Sequence, residues 1–337
     1  MTATAAYTDA LAAIAERAAE RDRAADPAFP ADAIAALARA GVLAGGLPFS
    51  EQLTVVRDVA RADPAVARIV DGHLNAVERL EVHAEEPLRT DELRAVADGL
   101  LWLGVWGADP RPGEGDPARI EDGALHGAKT FCSGAGGLQR AIVLAGDRLA
   151  YVDLSRGVEV DEGWFAGAGM RASVSHRVVF DGAPVLAVLG PPGAITHEPW
   201  FARDAVRTAA TWAGAVDAAA DEAVRLLAAR PAPTDLERLA AGRIRAEQAT
   251  VALWLAEGGR RGDAGTLGRE QGALLRHAIA AAAGRLLDEA ARACGSHPFA
   301  TGGSLDRIRR DLELFVLQHR LDPIVARAGG AALEEAR

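Results

Sequence analysis

Apolar residues recur at helical spacing through the first hundred residues of the chain. Apolar positions at i, i+3 and i+4 form one buried face of a helix, so the spacing predicts helices over residues 6–19 and 53–62. A further helix is predicted to begin at Asp63-Pro64, because aspartate favours the N-cap and proline the first helical position. Its predicted buried stripe comprises Val66, Ile69, Val70, Val77 and Leu80. Residues 1–99 are therefore predicted to form a helical N-terminal domain.

The pattern changes at residue 100, where short apolar runs alternate with glycine and proline. Runs of this length bounded by turn residues predict strands. The predicted strands cover residues 100–105, 124–132, 141–145, 149–154, 178–180 and 185–189. Tight turns at Gly146-Asp147 and Asp181-Gly182 are predicted to join neighbouring strands. Residues 100–197 are therefore predicted to form a small β-barrel or β-sandwich domain.

Helical periodicity returns at Trp200 and continues to the C-terminal region. Four long amphipathic segments with short connections predict an antiparallel four-helix bundle over residues 198–337. These segments cover residues 203–227, 236–257, 267–293 and 305–319. The last one has an apolar stripe of Leu305, Ile308, Leu312, Phe315 and Val316, and His319 falls on the same face. The predicted fold class is mainly α with a β middle domain.

Charge and cysteine content exclude several classes of protein. The formal net charge is −10 and no basic stripe is visible, so we expect neither a nucleic-acid partner nor attraction to anionic lipid. No apolar run reaches the length of a membrane span, and no secretory leader is visible. Cys132 and Cys294 lie far apart without metal-ligand spacing, which favours a reducing cytoplasm. The charge pattern therefore argues against a nucleic-acid or membrane partner.

Three segments carry the most specific pattern in the chain. Residues 125–134 read Leu-His-Gly-Ala-Lys-Thr-Phe-Cys-Ser-Gly, residues 169–181 begin Gly-Met-Arg-Ala-Ser, and residues 304–311 read Ser-Leu-Asp-Arg-Ile-Arg-Arg-Asp. In this order and spacing they resemble signature segments of the acyl-CoA dehydrogenase superfamily. The resemblance implies that family's fold, with N-terminal helices, a small β domain and a C-terminal four-helix bundle. It also implies a flavin cofactor, FAD or FMN, and a homo-oligomer, dimer or tetramer.

The resemblance assigns cofactor contacts to residues of the first segment. In the family, an aromatic residue at the position of Phe131 packs on the flavin, and a hydroxyl at the position of Ser133 bonds the ring near its reactive nitrogen. Cys132 lies between them. Such a hydroxyl can donate to the charge that builds up on the reduced ring. The alternative is that Phe131 is a buried strand residue and Ser133 a turn residue.

The loop before this segment, residues 106–116, resembles the loop that binds the flavin pyrimidine in the family, although some of its residues differ. Backbone amides at Trp106 and Ala108 are implied to bond the flavin edge, although Ala108 replaces the usual threonine. Trp106 is alternatively a core residue. Glu114 falls near a serine that touches substrate in the family, and a carboxylate there would repel a CoA phosphate unless it pairs with Arg111 or Arg119.

Two further positions follow from the resemblance. Arg292 stands where the family has a glutamine that meets the cofactor diphosphate, and it is predicted to bind phosphate. The family's arginine-containing pyrophosphate loop is not visible, which leaves FMN as an alternative to FAD. Arg171 and Ser173 match an element that is expected to brace the β domain.

The family's glutamate base is missing, and three residues are candidates for catalysis. His319 lies nine residues after Arg310, at one family base position, and Asp204 lies ten residues before Gly214, at the other. His73 lies on the predicted buried stripe of the helix that begins at residue 64. A histidine can act as a base near neutral pH. Asp204 is alternatively a helix-dipole charge, and His73 a satisfied core residue.

The implied activity is oxidation of an acyl-CoA or carrier-bound acyl thioester with hydride transfer to flavin. A first alternative is a two-component monooxygenase that uses reduced flavin and O₂. It is favoured by resemblance to the monooxygenase branch of the superfamily, which also has a histidine at the positions of His73 and His319. A second alternative is a non-catalytic subunit that completes the flavin site of a partner.

Overall fold

The computed structural model describes residues 5–318 and 321–337. Five helices come first: α1 (Ala5–Arg23), α2 (Ala31–Arg39), α3 (Phe49–Ala62), α4 (Pro64–His83) and α5 (Leu88–Ala97). Seven strands follow: β1 (Leu103–Trp106), β2 (Arg119–Glu121), β3 (Ala124–Cys132), β4 (Arg140–Ala145), β5 (Arg148–Asp153), β6 (Val158–Asp161) and β7 (His176–Leu189). The remaining helices are α6 (Trp200–Ala228), α7 (Asp235–Asp263), α8 (Arg269–Cys294), α9 (His297–Ala300), α10 (Ser304–Phe315) and α11 (Asp322–Glu335).

The predicted elements are largely present, and their signals explain their positions. The start of α4 at Pro64 is capped, because Asp63 Oδ1 accepts a hydrogen bond from the Ala65 amide at 3.0 Å. The apolar stripe predicted for α4 is buried. The sequence reasoning missed α5, α9, α11 and the short strands β2 and β6. The helix predicted to reach residue 319 ends at Phe315, and His319 lies outside the described residues.

The seven strands form one sheet in the order β1-β4-β5-β7-β3-β2, with β6 paired to β7. Only the β1–β4 pair is parallel among these pairings. β7 is shared along its length: its first half pairs with β3 and β6, and its second half pairs with β5. The strand therefore joins the two parts of the sheet.

The predicted turn at Asp181-Gly182 is wrong, because both residues lie inside β7. His126 pairs with Asp181 while Leu125 pairs with Ala183, so Gly182 is the extra residue of a β-bulge. Its φ of +76° is easily adopted by glycine, which lets the strand continue through the irregularity. A glycine of this kind is hard to distinguish from a turn in the sequence.

The chain folds into two compact units. The first unit contains residues 1–47, 68–167 and 171–197, and the second contains residues 48–67, 168–170 and 198–337. In the first unit, α4 and α5 bury apolar residues against β1, β4 and β5. This core comprises Ala76, Val77, Leu80, Ala84, Val96, Leu101, Leu103, Ile142, Leu149, Tyr151, Leu189 and Ala194. The predicted boundaries at residues 99 and 197 remain predictions.

The second unit is built around α6, which contacts α3, α7, α8 and α10. Gly214 allows α3 to approach α6 closely, because a Cβ atom there would lie 2.1 Å from the Arg57 carbonyl oxygen. Trp212 is buried on α6 and meets the Phe315 ring edge-on at 6.2 Å, which attaches α10. None of the helices in the described ranges is long and apolar enough to cross a membrane.

The late Arg-Asp segment has a structural role in the second unit. Asp311 Oδ1 accepts a hydrogen bond from the Met170 amide at 2.5 Å, and Arg310 donates to the Ala168 carbonyl oxygen. A Cβ atom on Gly169 would lie 2.2 Å from the Arg310 carbonyl oxygen. The segment of residues 304–311 therefore holds the start of the segment of residues 169–181. Gly169 permits this close approach because it has no side chain.

Candidate functional site

Phe131 is the most unusual residue of the first unit. It lies near the end of β3, where its neighbours Thr130 and Cys132 are buried, yet 54% of its surface is exposed. Its φ is +52°, a left-handed conformation that side chains other than glycine rarely adopt. A β-bulge between Lys129 and Cys132 holds this conformation against β7. Strain that the surrounding structure enforces is typical of functional positions.

Two further aromatic side chains surround the exposed Phe131 ring. Trp164 meets it edge-on, with ring centroids 4.8 Å apart, and Phe165 lies 6.4 Å away in a similar arrangement. Both residues are half-buried in the loop after β6. We call these three residues the aromatic cluster. They form a partly exposed apolar surface in the first unit.

Glu114 holds the orientation of Trp164. Its Oε1 accepts a hydrogen bond from the Trp164 indole N–H at 3.2 Å, and its Oε2 accepts one from the Arg111 backbone N–H at 2.9 Å. These two bonds, the Arg111 amide first, keep the pKa of the Glu114 carboxyl below its ordinary value. Arg119 pairs instead with Glu121, at 2.6 Å. Glu114 is therefore an ionised carboxylate beside the aromatic cluster.

Behind Phe131, three hydroxyls form a buried chain. Ser133 Oγ and Ser175 Oγ lie 2.8 Å apart, and Ser175 Oγ lies 2.8 Å from Ser173 Oγ. Val174, between the latter two, has a φ of +42°, which is exceptional for a β-branched residue. Because hydroxyls both donate and accept hydrogen bonds, the Ser133 hydroxyl can be either the donor or the acceptor towards Ser175. Ser173, predicted to brace the domain, belongs to this chain.

His176 lies opposite Cys132 in the β3–β7 pairing. The side chain is buried, and its Nδ1 atom has no hydrogen-bond partner among the described residues. Burial lowers the pKa of the imidazole, so it is neutral at neutral pH. Most buried polar atoms in proteins have a hydrogen-bond partner, so this nitrogen is an exception to the usual pattern.

The loop after β1 packs against β3 and is attached to it by hydrogen bonds and an ion pair. The Trp106 indole N–H donates to the Ser133 carbonyl oxygen at 3.1 Å, and the ring is buried. The Ala108 carbonyl oxygen accepts the Thr130 amide at 3.0 Å. Lys129, the only lysine of the sequence, is fully buried and pairs with Asp109 at 2.6 Å. These contacts tie the loop to β3.

Cys132 is also a structural residue. It is fully buried, and this burial raises the pKa of its thiol well above the ordinary value. The thiol is therefore not reactive at neutral pH.

Arg171 donates to the Asp22 and Ala24 carbonyl oxygens at 2.6 and 2.8 Å, so it braces the end of α1.

His73 has no free ring nitrogen. Its Nε2 lies 3.0 Å from the Leu43 carbonyl oxygen, and its Nδ1 accepts the Leu103 amide at 3.1 Å. Burial lowers the pKa of the imidazole to about 4. The ring therefore joins α4 to β1 as a neutral hydrogen-bonding residue. This geometry favours a structural role for His73 in the core over a catalytic role.

Two other predicted residues lie in the second unit. Asp204 is half-buried in the second turn of α6. Arg292 is exposed in the last turn of α8. It lines a cavity of about 360 Å³ together with Arg243, Glu247, Arg285, Asp288 and Glu289. His319, the third catalytic candidate, lies outside the described residues.

The structure thus brings Trp106, Ala108, Phe131, Cys132 and Ser133 together in one unit. The sequence reasoning missed the aromatic residues and polar groups that complete the site. These are Trp164, Phe165, Ser175 and His176. No periodicity in the sequence predicts them, since Ser173 and Ser175 meet across the left-handed Val174 and not through strand alternation. No group of metal-binding side chains occurs in the described part of the chain.

Solved structures share this fold over nearly the whole chain. The FMN-bound structure of TdsC, a dibenzothiophene monooxygenase from Paenibacillus sp. A11-2, matches with a TM-score of 0.84 at 21% identity, over 98% of this chain and 96% of that one. KijD3 in complex with FMN and a dTDP-linked amino sugar matches with a TM-score of 0.84 at 22% identity, over 97% and 92% of the two chains.

A nitrososynthase from Micromonospora carbonacea var. africana matches with a TM-score of 0.80 at 23% identity, over 98% of this chain and 97% of that one. The first two of these structures contain FMN, and the match confirms the predicted acyl-CoA dehydrogenase-like fold. At this level of identity the likeness concerns the fold. No protein-family model and no curated protein sequence matches the chain.

Proposed function

We propose that this chain, which has the fold of these FMN-bound enzymes, is a flavin oxidoreductase and that its flavin lies against Phe131. The main support is Phe131, whose ring is exposed and whose backbone is strained. It occupies the position that the sequence resemblance assigns to the flavin contact. Phe131, Trp164 and Phe165 together form a contiguous apolar patch, and such patches commonly mark ligand-binding surfaces. We infer FMN rather than FAD, since two of the compared structures hold FMN.

The side chains around Phe131 fit an isoalloxazine ring. Phe131 supplies an apolar face, and Ser133 lies two residues further and carries a hydroxyl. Trp106 and Lys129 hold the strand from behind. Flat heteroaromatic ligands need this combination of an apolar surface and a few directed polar groups. Cys132 and Ala108 would contribute through their backbone.

For the reaction, we favour monooxygenation of a small molecule over oxidation of an acyl thioester. When bound, reduced flavin would supply the two electrons needed to place one oxygen atom of O₂ in the substrate and to release the other as water. The protein then has to hold the flavin and substrate together and keep bulk water out. Thioester oxidation is the second candidate, and among the described residues it depends on Asp204 as the base. An ionised Glu114 beside the site disfavours an anionic CoA substrate.

The remaining predicted roles stay proposals. Arg292 would bind an anionic group, and His319 would act near the flavin. We also propose a homo-oligomer, because α7 exposes large apolar side chains to solvent. These are Leu236, Leu239, Leu253 and Trp254, with Leu236 at 78% and Leu253 at 72% exposure. Exposed apolar surface of this kind is typical of protein interfaces.

The first experiment is titration of the purified protein with FMN, followed by flavin fluorescence. We expect stoichiometric binding, and Phe131→Ala should weaken it about tenfold through loss of the aromatic contact. Leu186→Ala is the matched control, since Leu186 is also an exposed apolar residue of the same sheet, on β7. It should leave FMN affinity unchanged.

Equal effects of the two substitutions, or no binding of FMN or FAD by the wild type, would refute the flavin site. Binding only after co-expression with a partner would favour the non-catalytic subunit. To separate the two reactions, a flavin reductase should supply reduced FMN under ¹⁸O₂ with indole as the test substrate. Labelled product supports monooxygenation, whereas anaerobic reduction of the flavin by an acyl-CoA supports thioester oxidation.

A further inference from the structure

Hydrogen bonds to the loop after β1 lie on both sides of Phe131 in the sequence. Before it, the Thr130 amide donates to the Ala108 carbonyl oxygen at 3.0 Å. After it, the Ser133 carbonyl oxygen accepts the Trp106 indole N–H at 3.1 Å. Phe131 itself has a φ of +52°, a conformation that persists only where neighbouring contacts enforce it. The loop after β1 is placed to enforce this conformation.

β3 changes its hydrogen-bonding partner at the same place. Its pairing with β7 continues as far as Lys129 and resumes at Cys132. Between these two residues, Thr130 forms an isolated antiparallel bridge with Ala108. The loop after β1 thus replaces β7 as the partner of the bulged part of β3. A single backbone hydrogen bond contributes little net free energy, so further contacts must keep the loop on the strand.

Lys129 supplies charged contacts between the loop and β3. Its side chain is fully buried, and its ammonium donates to Asp109 Oδ1 at 2.6 Å and to the Gly107 carbonyl oxygen at 3.3 Å. Hydrogen bonds that involve charged groups are stronger than those between neutral groups. Since Gly107 and Asp109 flank Ala108, the ammonium attaches the loop on either side of the residue that bridges to Thr130.

The residue type at this position is exceptional in the sequence. Lys129 is the only lysine among 37 lysine and arginine residues, so arginine occupies every other one of these positions. An ammonium is a compact charge with three donors, whereas a guanidinium is planar and larger. A fully buried position with two acceptors close together in the chain fits the compact group. Arginine at position 129 is therefore expected to push the loop away from β3.

We propose that Lys129 is a positioning residue for the flavin contact: it holds the loop after β1 on β3, and the loop holds Phe131 with its ring turned outward. The inference rests on the proposed flavin site at Phe131 and adds a residue that acts on that site. Lys129 has no exposed surface of its own to offer a ligand. Its effect on flavin binding therefore passes through the loop and the Phe131 ring.

The test removes the ammonium with Lys129→Met, which keeps an unbranched side chain of similar length. Hydrogen exchange of the Thr130 amide is measured by mass spectrometry on the ligand-free protein. It should become about tenfold faster, because this amide loses its acceptor when the loop leaves β3. FMN affinity should fall about tenfold, the same loss as in Phe131→Ala. Lys129→Arg should give both changes, whereas Arg148→Met, which removes an exposed cation from β5, should give neither.

A double substitution separates a positioning role from a general loss of structure. In the Phe131→Ala background, Lys129→Met should weaken FMN binding by less than about twofold, because the ring through which Lys129 acts is already absent. A further tenfold loss in that background would overturn the proposal. So would an unchanged Thr130 exchange rate in Lys129→Met, or equal effects of Lys129→Met and Arg148→Met.

A milder variant, Asp109→Asn, decides the question if Lys129→Met does not fold. It removes the charge of a carboxylate that is 56% exposed and leaves an oxygen that can still accept from the ammonium. Exchange of the Thr130 amide should become about threefold faster, since the charge-assisted bond is weakened. An unchanged rate in this variant would show that the ion pair does not hold the loop.

The outcome is separable from that of the proposed function. FMN affinity of the wild type is measured first, on the same preparation as the exchange experiment. If FMN binds and Lys129→Met changes neither exchange nor affinity, only the role of Lys129 fails. If the wild type binds no flavin, the proposed function fails. The attachment of the loop by Lys129 then stands if Thr130 exchange is faster in the variant and falls if it is not.

Discussion

Two buried histidines of the first unit differ in what their ring nitrogens contact. His73 on α4 bonds the Leu43 carbonyl oxygen and the Leu103 amide, so both nitrogens are used. His176 on β7 is buried as well, but its Nδ1 has no partner in the described part of the chain. Burial lowers the pKa of both rings. The first histidine contributes two hydrogen bonds to the fold, and the second holds a buried nitrogen that forms none with the described residues.

The comparison shows that burial and a shifted pKa do not by themselves mark a functional histidine. Both properties are present at His73, where the geometry is structural. Unused hydrogen-bonding capacity is the better criterion, because folding tends to satisfy buried polar groups. His176 meets this criterion beside Cys132 and the hydroxyl chain of Ser133.

The largest expected effect comes from His73→Leu. Leucine has a similar volume but leaves a buried carbonyl oxygen and a buried amide without partners, and each such loss costs about 1–3 kcal/mol. We expect the free energy of unfolding to fall by about 3 kcal/mol in urea denaturation. A change below about 1 kcal/mol would show that these two hydrogen bonds do not hold α4 to β1.

A smaller effect is expected in the pH dependence of stability. The pKa of His73 falls from 6.5 to about 4 on folding, so between these values the unfolded state binds more protons. The contribution of neutral His73 to the free energy of unfolding is complete above pH 6.5 and is lost as the pH falls towards 4. Urea midpoints of the wild type should therefore decrease over this window. In His73→Leu the dependence should be shallower by up to about 1.4 kcal/mol per pH unit.

Parallel pH curves for the wild type and His73→Leu would contradict that depressed pKa. A variant that unfolds at low pH can still be compared over the upper part of the window, where the slope first appears. Measurements at two salt concentrations separate His73 from surface ion pairs, because a buried group is screened much less than exposed ones.

The smallest effect on stability is expected for His176→Leu, the same substitution at the second histidine. It removes Nδ1, which has no hydrogen-bond partner among the described residues, and puts an apolar side chain of similar volume in its place. The free energy of unfolding should change by less than about 1 kcal/mol in either direction. Flavin affinity should fall if the unused nitrogen serves the ligand. A loss of stability as large as that of His73→Leu would remove the distinction between them.

The sequence determined much of the fold because its signals are local. Helical spacing located α4 and the helices α6, α7, α8 and α10, and short apolar runs located β3, β4 and β5. The cap at Asp63 is a local hydrogen bond and was therefore predictable. Gly182 misled the prediction, because a glycine in a bulge and a glycine in a turn look alike until the partner strand is known.

The sequence by itself also placed Phe131 and Ser133 in one segment and identified that segment by resemblance. Only the tertiary structure decided that Phe131 is exposed, because a bulge against β7 turns it out of the strand. Only long-range contacts decided that Glu114 meets Trp164 and that His73 is satisfied, since these partners lie 50 and 30 residues apart. Hydrogen-bond partners distant in sequence depend on how elements pack, and periodicity carries no information about that packing.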